Sequence, residues 1–184
     1  TDGTVALSGL SISENAQYLA YGLSTSGSDW VEWKVREIET GKDLSDHLKW
    51  TKFTGTSWTK DNQGFFYSRY NQPKEKTKLE DINHYQKLYY HKLGTSQDED
   101  VLIYERPDEK EWGFSGRVTE DGQYLIISVW QGTDTKNLVF YKNLSQENSK
   151  IIELINQFEA DYSFIDNKGS KFYFRTDLNL SLIH

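Results

Sequence analysis

Apolar residues in this chain come in short runs separated by polar clusters rich in Asn, Asp, Gly and Ser. The stretch V-T-E-D-G-Q-Y-L-I-I-S-V, Val118 to Val129, sets the type. Two apolar segments flank an Asp-Gly turn, which predicts a β-hairpin. The pattern returns in S-I-S-E-N-A-Q-Y-L-A-Y-G from Ser11, S-W-T-K-D-N-Q-G-F-F-Y-S from Ser57 and F-I-D-N-K-G-S-K-F-Y-F-R from Phe164. The aromatics that open the second strands, Tyr18, Phe65, Tyr124 and Phe172, are spaced 47, 59 and 48 residues apart. The long interval contains a polar insert, Asn71–Asn83; without it the period is about 48, in the range of a β-propeller blade.

Each period supplies the strands a blade needs. Unit one, about residues 8–53, predicts strands near Ser8–Ser13, Gln17–Ser24, Trp30–Ile38 and His47–Phe53. Unit two, about 55–105, predicts Gly55–Thr59, Gly64–Tyr70, Tyr85–Lys92 and Val101–Glu105. Unit three, about 114–155, predicts Phe114–Thr119, Gln123–Trp130, Asn137–Lys142 and Ile151–Ile155. Unit four, about 160–184, predicts Ala160–Ile165 and Lys171–Arg175, with a third strand beginning in L-S-L-I-H. Continuously apolar second strands such as Y-L-I-I-S-V suit burial between neighbouring blades. In W-V-E-W-K-V-R-E-I the alternation puts Val31, Trp33, Val35 and Glu37 on one face. Lys150–Phe158 also permits a helix, but the repeat register favours a strand. The fold class expected is all-β, a partial β-propeller of three complete four-stranded antiparallel blades and most of a fourth.

Composition agrees: aromatics are 15% of residues, Tyr occurs 12 times and Pro only 2, which favours strands. The net charge of −7 is spread along the chain, against a nucleic-acid groove and against docking on an anionic membrane. No apolar run is long enough to span a bilayer. Cys is absent, which excludes disulfides and permits a reducing compartment. Met is absent too, and T-D-G-T-V-A-L-S runs straight into a strand pattern. An internal segment of a longer protein is expected, with no catalytic domain in residues 1–184.

The chemical motifs are weak. G-L-S-T-S-G-S from Gly22 lacks the spacing and the strand-turn-helix setting of a nucleophile elbow. His47, His84, His91 and His184 show no metal-ligand spacing with Cys or carboxylate support, so surface or strand positions are expected, with no metal and no cofactor. Asp98-Glu99-Asp100 and Asp108-Glu109 lack the order of a calcium loop and read as solvated turns. Asn143-Leu144-Ser145 and Asn179-Leu180-Ser181 match the glycosylation sequon, idle without secretion.

Several segments resemble the propeller domain of the prolyl oligopeptidase family: Y-L-A-Y-G-L-S-T-S-G-S-D-W (Tyr18–Trp30), K-F-T-G-T-S-W-T-K-D-N-Q-G-F-F-Y (Lys52–Tyr67), Q-K-L-Y-Y-H-K-L-G-T (Gln86–Thr95), E-D-G-Q-Y-L-I-I-S (Glu120–Ser128) and L-I-N-Q-F-E-A-D-Y-S-F-I-D-N-K-G (Leu154–Gly169). The similarity runs through nearly the whole chain, diverging at Asn71–Asn83 and Gln146–Lys150. It implies a cytosolic serine peptidase cleaving after proline in short peptides, in which a propeller caps and gates an α/β-hydrolase catalytic domain. The family's Ser-Asp-His motifs are absent here. By resemblance, Asp29 in S-G-S-D-W pairs with a hydrolase-domain arginine, and Phe53 lines the outer substrate subsites. Thr133 falls where a cysteine is frequent beside that subsite. Gly113 falls where a methionine is common, leaving Trp112 or Phe114 to fill the wall.

One rival reading stays open, a stand-alone binding or scaffold propeller; a propeller glycosidase needs inward carboxylates from several blades, and the repeated positions offer Tyr, Trp and Ser instead. Two raw blade ends would expose apolar faces, so the isolated chain is expected to form a homo-oligomer, a dimer of about seven to eight blades.

Overall fold

The computed structural model describes residues 4–73 and 83–180. Residues 74–82 of the polar insert and residues 181–184, where the last strand was expected, lie outside the described residues. The first blade contains β1 (Val5–Ile12), β2 (Tyr18–Thr25), β3 (Val31–Glu37) and β4 (Asp43–Thr51). The second contains β5 (Thr56–Trp58), β6 (Gly64–Arg69), β7 (Lys87–Lys92) and β8 (Val101–Tyr104). The third contains β9 (Trp112–Val118), β10 (Tyr124–Gln131), β11 (Asn137–Asn143) and β12 (Ile151–Ile155). A two-stranded sheet of β13 (Tyr162–Lys168) and β14 (Lys171–Thr176) opens the fourth. Within every sheet the strands are antiparallel and lie in chain order, the meander of a propeller blade. The sheets do not close into a ring, so the described chain is a partial propeller.

Successive blades stack face to face, with β1 against β5, β5 and β6 against β9, and β11 against β13. The period of two along a strand makes each second strand serve both neighbours. On β6, Phe65 and Tyr67 join the core shared with blade one, where Ala20, Trp33, Val35 and Leu48 lie. Phe66, between them, joins Leu88, Phe114 and Phe140 on the other side. On β10, Leu125, Ile127 and Val129 face blade two, while Tyr124 and Ile126 face Ala160 and Tyr162. This two-sided burial is the physical reason for the unbroken apolar runs.

The segment read as either helix or strand is β12. Several boundaries moved: β13 runs on to Lys168 rather than ending at Ile165, and the starts of β4 and β1 came earlier. β4 starts at Asp43 rather than His47, because the ladder continues past bulges in β4 itself to an Arg36–Asp43 pair, joined by an ion pair of 2.7 Å. β1 starts at Val5 and carries a bulge at Ser8, between Leu7 and Gly9. The extra residue flips the alternation. Val5, Leu7, Leu10 and Ile12 therefore point to the same side, where all four are exposed. Gly9 and Gly22 turn to the other side, against the ring of Trp33.

The recurring hairpin turn is one hydrogen-bonded module. Ser13, Thr59 and Thr119 immediately follow the first strands, and their hydroxyls donate to Asn15, Asp61 and Asp121 at 2.8, 2.6 and 2.7 Å. The same three acceptors take the backbone N–H of Gln17, Gln63 and Gln123. Between them Ala16, Asn62 and Gly122 hold positive φ of 55°, 59° and 71°. Adjacent modules are also stitched together. Asn15 N–H donates to Asn62 (3.0 Å), Asn167 donates to Asp121 (2.7 Å), and Lys60 reaches Glu14 (2.8 Å) and Glu120 (3.6 Å).

Candidate functional site on the loop face

Antiparallel meanders send alternate connections to opposite faces of the blades. The β1–β2, β5–β6 and β9–β10 turns occupy one face. The β2–β3, β4–β5, β8–β9 and β10–β11 connections occupy the other. Asp29, Phe53, Gly113 and Thr133 belong to these four connections or their margins, so all four reach the same face.

Asp29 and Phe53 converge on a residue that the sequence reading passed over. Lys52 is only 4% exposed, and its Nζ lies 4.1 Å from the Trp30 ring and 5.9 Å from the Phe53 ring. That ammonium donates to Oδ1 of Asn83 at 3.2 Å. Burial pushes the Lys52 pKa down, and the charge of Asp29 works in the opposite direction. Trp30 meets Trp50 and Tyr70 edge-on at 5.8 and 6.0 Å, so the cation sits beside an aromatic cluster and gains cation–π attraction. The connection is anchored behind by buried Gln86, which donates to the Lys52 carbonyl (3.3 Å) and accepts from the Phe114 N–H (2.6 Å). Phe53 itself is 61% exposed and adopts φ +62°. A large aromatic in the left-handed region is strained, and here the strain presents its ring to solvent beside a groove lined by Gly9, Val31, Trp33 and Gly55.

Gly113 lies at the start of β9, paired across the sheet with Trp130. A Cβ at 113 would meet the Trp130 indole at 2.2 Å. The expectation that Trp112 or Phe114 fills this wall is corrected: both are buried in the core between blades two and three. Gly113 points to the opposite side of β9 from these neighbours, and Trp130 covers it. The signal was readable, because residues equidistant from the Asp121-Gly122 turn pair with one another, and 113 and 130 are such a pair. Thr133 lies in the exposed β10–β11 connection, just past the Gln131 that pairs with Trp112.

His47 and His91 do lie on strands, β4 and β7, but the acidic turns need a second correction. His91 has carboxylate neighbours on both ring nitrogens, Asp46 and Asp100. Asp100 is thus no solvated turn residue. It follows a 3-10 turn, Gln97–Glu99, capped by Ser96. Asp108 does lie at the surface, where it pairs with Arg106 at 2.8 Å. His47 bonds Glu32 at 2.6 Å, and His84 packs edge-on against Tyr85. His184 lies outside the described residues. Among the described residues no His, Asp and Glu group is arranged to hold a metal ion.

Comparison with known proteins agrees with the fold. Residues 1–182 match the family described as prolyl oligopeptidase, N-terminal beta-propeller domain. Prolyl oligopeptidase A of Amanita bisporigera is 37% identical over 96% of this chain and 26% of its own length. A prolyl endopeptidase of Elizabethkingia miricola is 36% identical over 96% of this chain and 25% of its own. Among solved structures, prolyl oligopeptidase B of Galerina marginata, bound to a 35mer hydrolysis and macrocyclization substrate, superposes with a TM-score of 0.88. It is 31% identical, over 97% of this chain and 26% of that one. The chain therefore spans about a quarter of the length of these relatives. It belongs to the prolyl oligopeptidase family, as part of the N-terminal β-propeller domain.

Proposed function

We propose that this chain forms the gating, substrate-facing part of a serine peptidase that cleaves after proline in short peptides. Bond breaking belongs to an α/β-hydrolase domain elsewhere in the full-length protein. The observation that carries this reading is the convergence of Asp29, Phe53, Gly113 and Thr133 on one face, with Phe53 strained into solvent there. On this reading Asp29 meets a hydrolase-domain arginine, Phe53 contacts the outer residues of the peptide, and Thr133 and the Gly113–Trp130 pair shape the neighbouring wall. His47 and His91 bond carboxylates rather than a Ser or Thr hydroxyl, so neither is set up as the base of a nucleophile pair. The resemblance supports a cytoplasmic location, and among the described residues no helix is long and apolar enough to cross a membrane.

A second reading, a binding module that assembles with its own kind, rests on the uncovered face of β1. A Gly-Pro chromogenic peptide separates the two. The full-length protein should cleave it and lose activity to a serine-directed inhibitor, while the isolated chain should be silent. Inhibitor-sensitive turnover by the repurified chain, or none by the full-length protein, would sink the first reading.

A further inference from the structure

His91 lies on β7 with no solvent exposure and contacts carboxylates from two different blades. Its Nδ1 is 2.6 Å from Oδ1 of Asp100, and its Nε2 is 2.9 Å from Oδ1 of Asp46 on β4. Both aspartate side chains are themselves fully buried. Asp46 Oδ1 also accepts the Gly94 N–H at 2.7 Å, and Oδ2 of Asp46 has no hydrogen-bond partner among the described residues. The second oxygen of Asp100 takes a short bond from the Tyr67 hydroxyl, which in turn accepts from Gln97 Nε2 at 3.0 Å. Gln97 bonds the backbone of Lys49 on β4 through both ends of its amide, at 3.1 and 3.0 Å.

An ionised carboxylate only accepts hydrogen bonds, and a neutral imidazole donates only one. A neutral ring would leave one buried aspartate facing a lone pair, at a cost that low-dielectric surroundings magnify. The two contacts are satisfied together when both ring nitrogens carry protons. We propose that His91 is held as an imidazolium at neutral pH and acts as an ionic clasp fastening the outer strand of blade one to blade two. The seam then loosens when base removes that proton.

The charges around the ring agree. Burial opposes ionisation, but the hydrogen bonds and charges of Asp100 and Asp46 outweigh it and raise the His91 pKa to about 9. On β6, the Phe65 ring packs 5.3 Å from the imidazole. The Tyr67 phenol is held neutral far above its usual range, by burial first and by Asp100 second. Arg69, the nearby cation of that strand, is turned over the Tyr89 ring at 4.3 Å and donates to the Gln97 carbonyl. The folded pKa lies above the free value of about 6.5. The clasp's contribution is therefore complete below that pH, shrinks above it, and is lost as pH rises through about 9. Acid leaves this cation in place.

The full-length protein with 15N-labelled histidine tests this directly by NMR. His91 should show two protonated ring nitrogens at neutral pH and lose one only near pH 9; an unprotonated nitrogen at neutral pH overturns the proposal. His91→Gln, which leaves two buried carboxylates without their cation, should lower Tm by roughly 10 °C. It should also abolish the fall in Tm between neutral pH and pH 9. A variant keeping both the Tm and its alkaline slope argues against a clasp, and if the variant does not fold the spectrum of the unaltered protein decides alone.

Discussion

Trp130 occupies the space that a side chain at 113 would need, so the two positions are expected to behave as one. Gly113→Met should displace the indole and cost about 1–3 kcal/mol of stability. Trp130→Ala should recover much of that loss in the double variant, a coupling that chemical denaturation would register and whose absence would separate the two sites. Phe53 offers the opposite case. A left-handed backbone costs a side-chain-bearing residue about 1–2 kcal/mol, and glycine avoids it. Phe53→Gly should therefore hold or raise Tm while the full-length protein loses kcat/KM through a higher KM. A fall in stability with unchanged kinetics would make Phe53 a packing residue instead. For Asp29, the proposed pairing with a hydrolase-domain arginine sets the expectation, since loss of one partner of a desolvated ion pair costs about 2–5 kcal/mol. Asp29→Ala should weaken peptide turnover in the full-length protein more than it weakens the propeller, and a change confined to Tm would make it a turn residue.

At the level of the element, the hairpin module sets what each turn tolerates. Ala16 stands where its counterparts are Asn62 and Gly122, at φ +55°. Ala16→Gly should stabilise the chain by about 1 kcal/mol, visible as a shift in the denaturation midpoint. Thr119 is 1% exposed and accepts the Tyr124 N–H at 3.0 Å. Thr119→Ala orphans that buried donor and should cost about 1–3 kcal/mol; a neutral result would mean that water replaces the hydroxyl. These modules explain why the blades were legible in the sequence, since S-x-N, T-x-D and T-x-D recur with the aromatic that follows them. The clasp and the cation cluster were not. Asp100 sits in an acidic run whose first two members do lie exposed in a turn, and only the fold brings Asp46 to His91. Lys52 reads as an ordinary lysine beside Phe53 until Trp30 is placed beneath it.

At the scale of the molecule, the stripe of Val5, Leu7, Leu10 and Ile12 is an apolar edge face covered by nothing in the described chain. The isolated chain is expected to self-associate through it. Light scattering at tens of micromolar should show a dimer or larger species that Leu7→Lys with Leu10→Lys returns to monomer, and a monodisperse unaltered monomer would rule this out. The bonds between blades have a further consequence. Trp58 to Ser11, Asn15 to Asn62, His91 to Asp46, Gln97 to Lys49, Asn167 to Asp121 and Tyr104 to Glu153 span 45 to 49 residues each. Each joins a blade to the next one made. A chain wired this way can assemble in the order in which it leaves the ribosome: blade one needs nothing beyond Asp100 to complete its clasp. Nascent chains arrested soon after Asp100 emerges should therefore already protect β4 from protease, whereas those arrested before His91 should not.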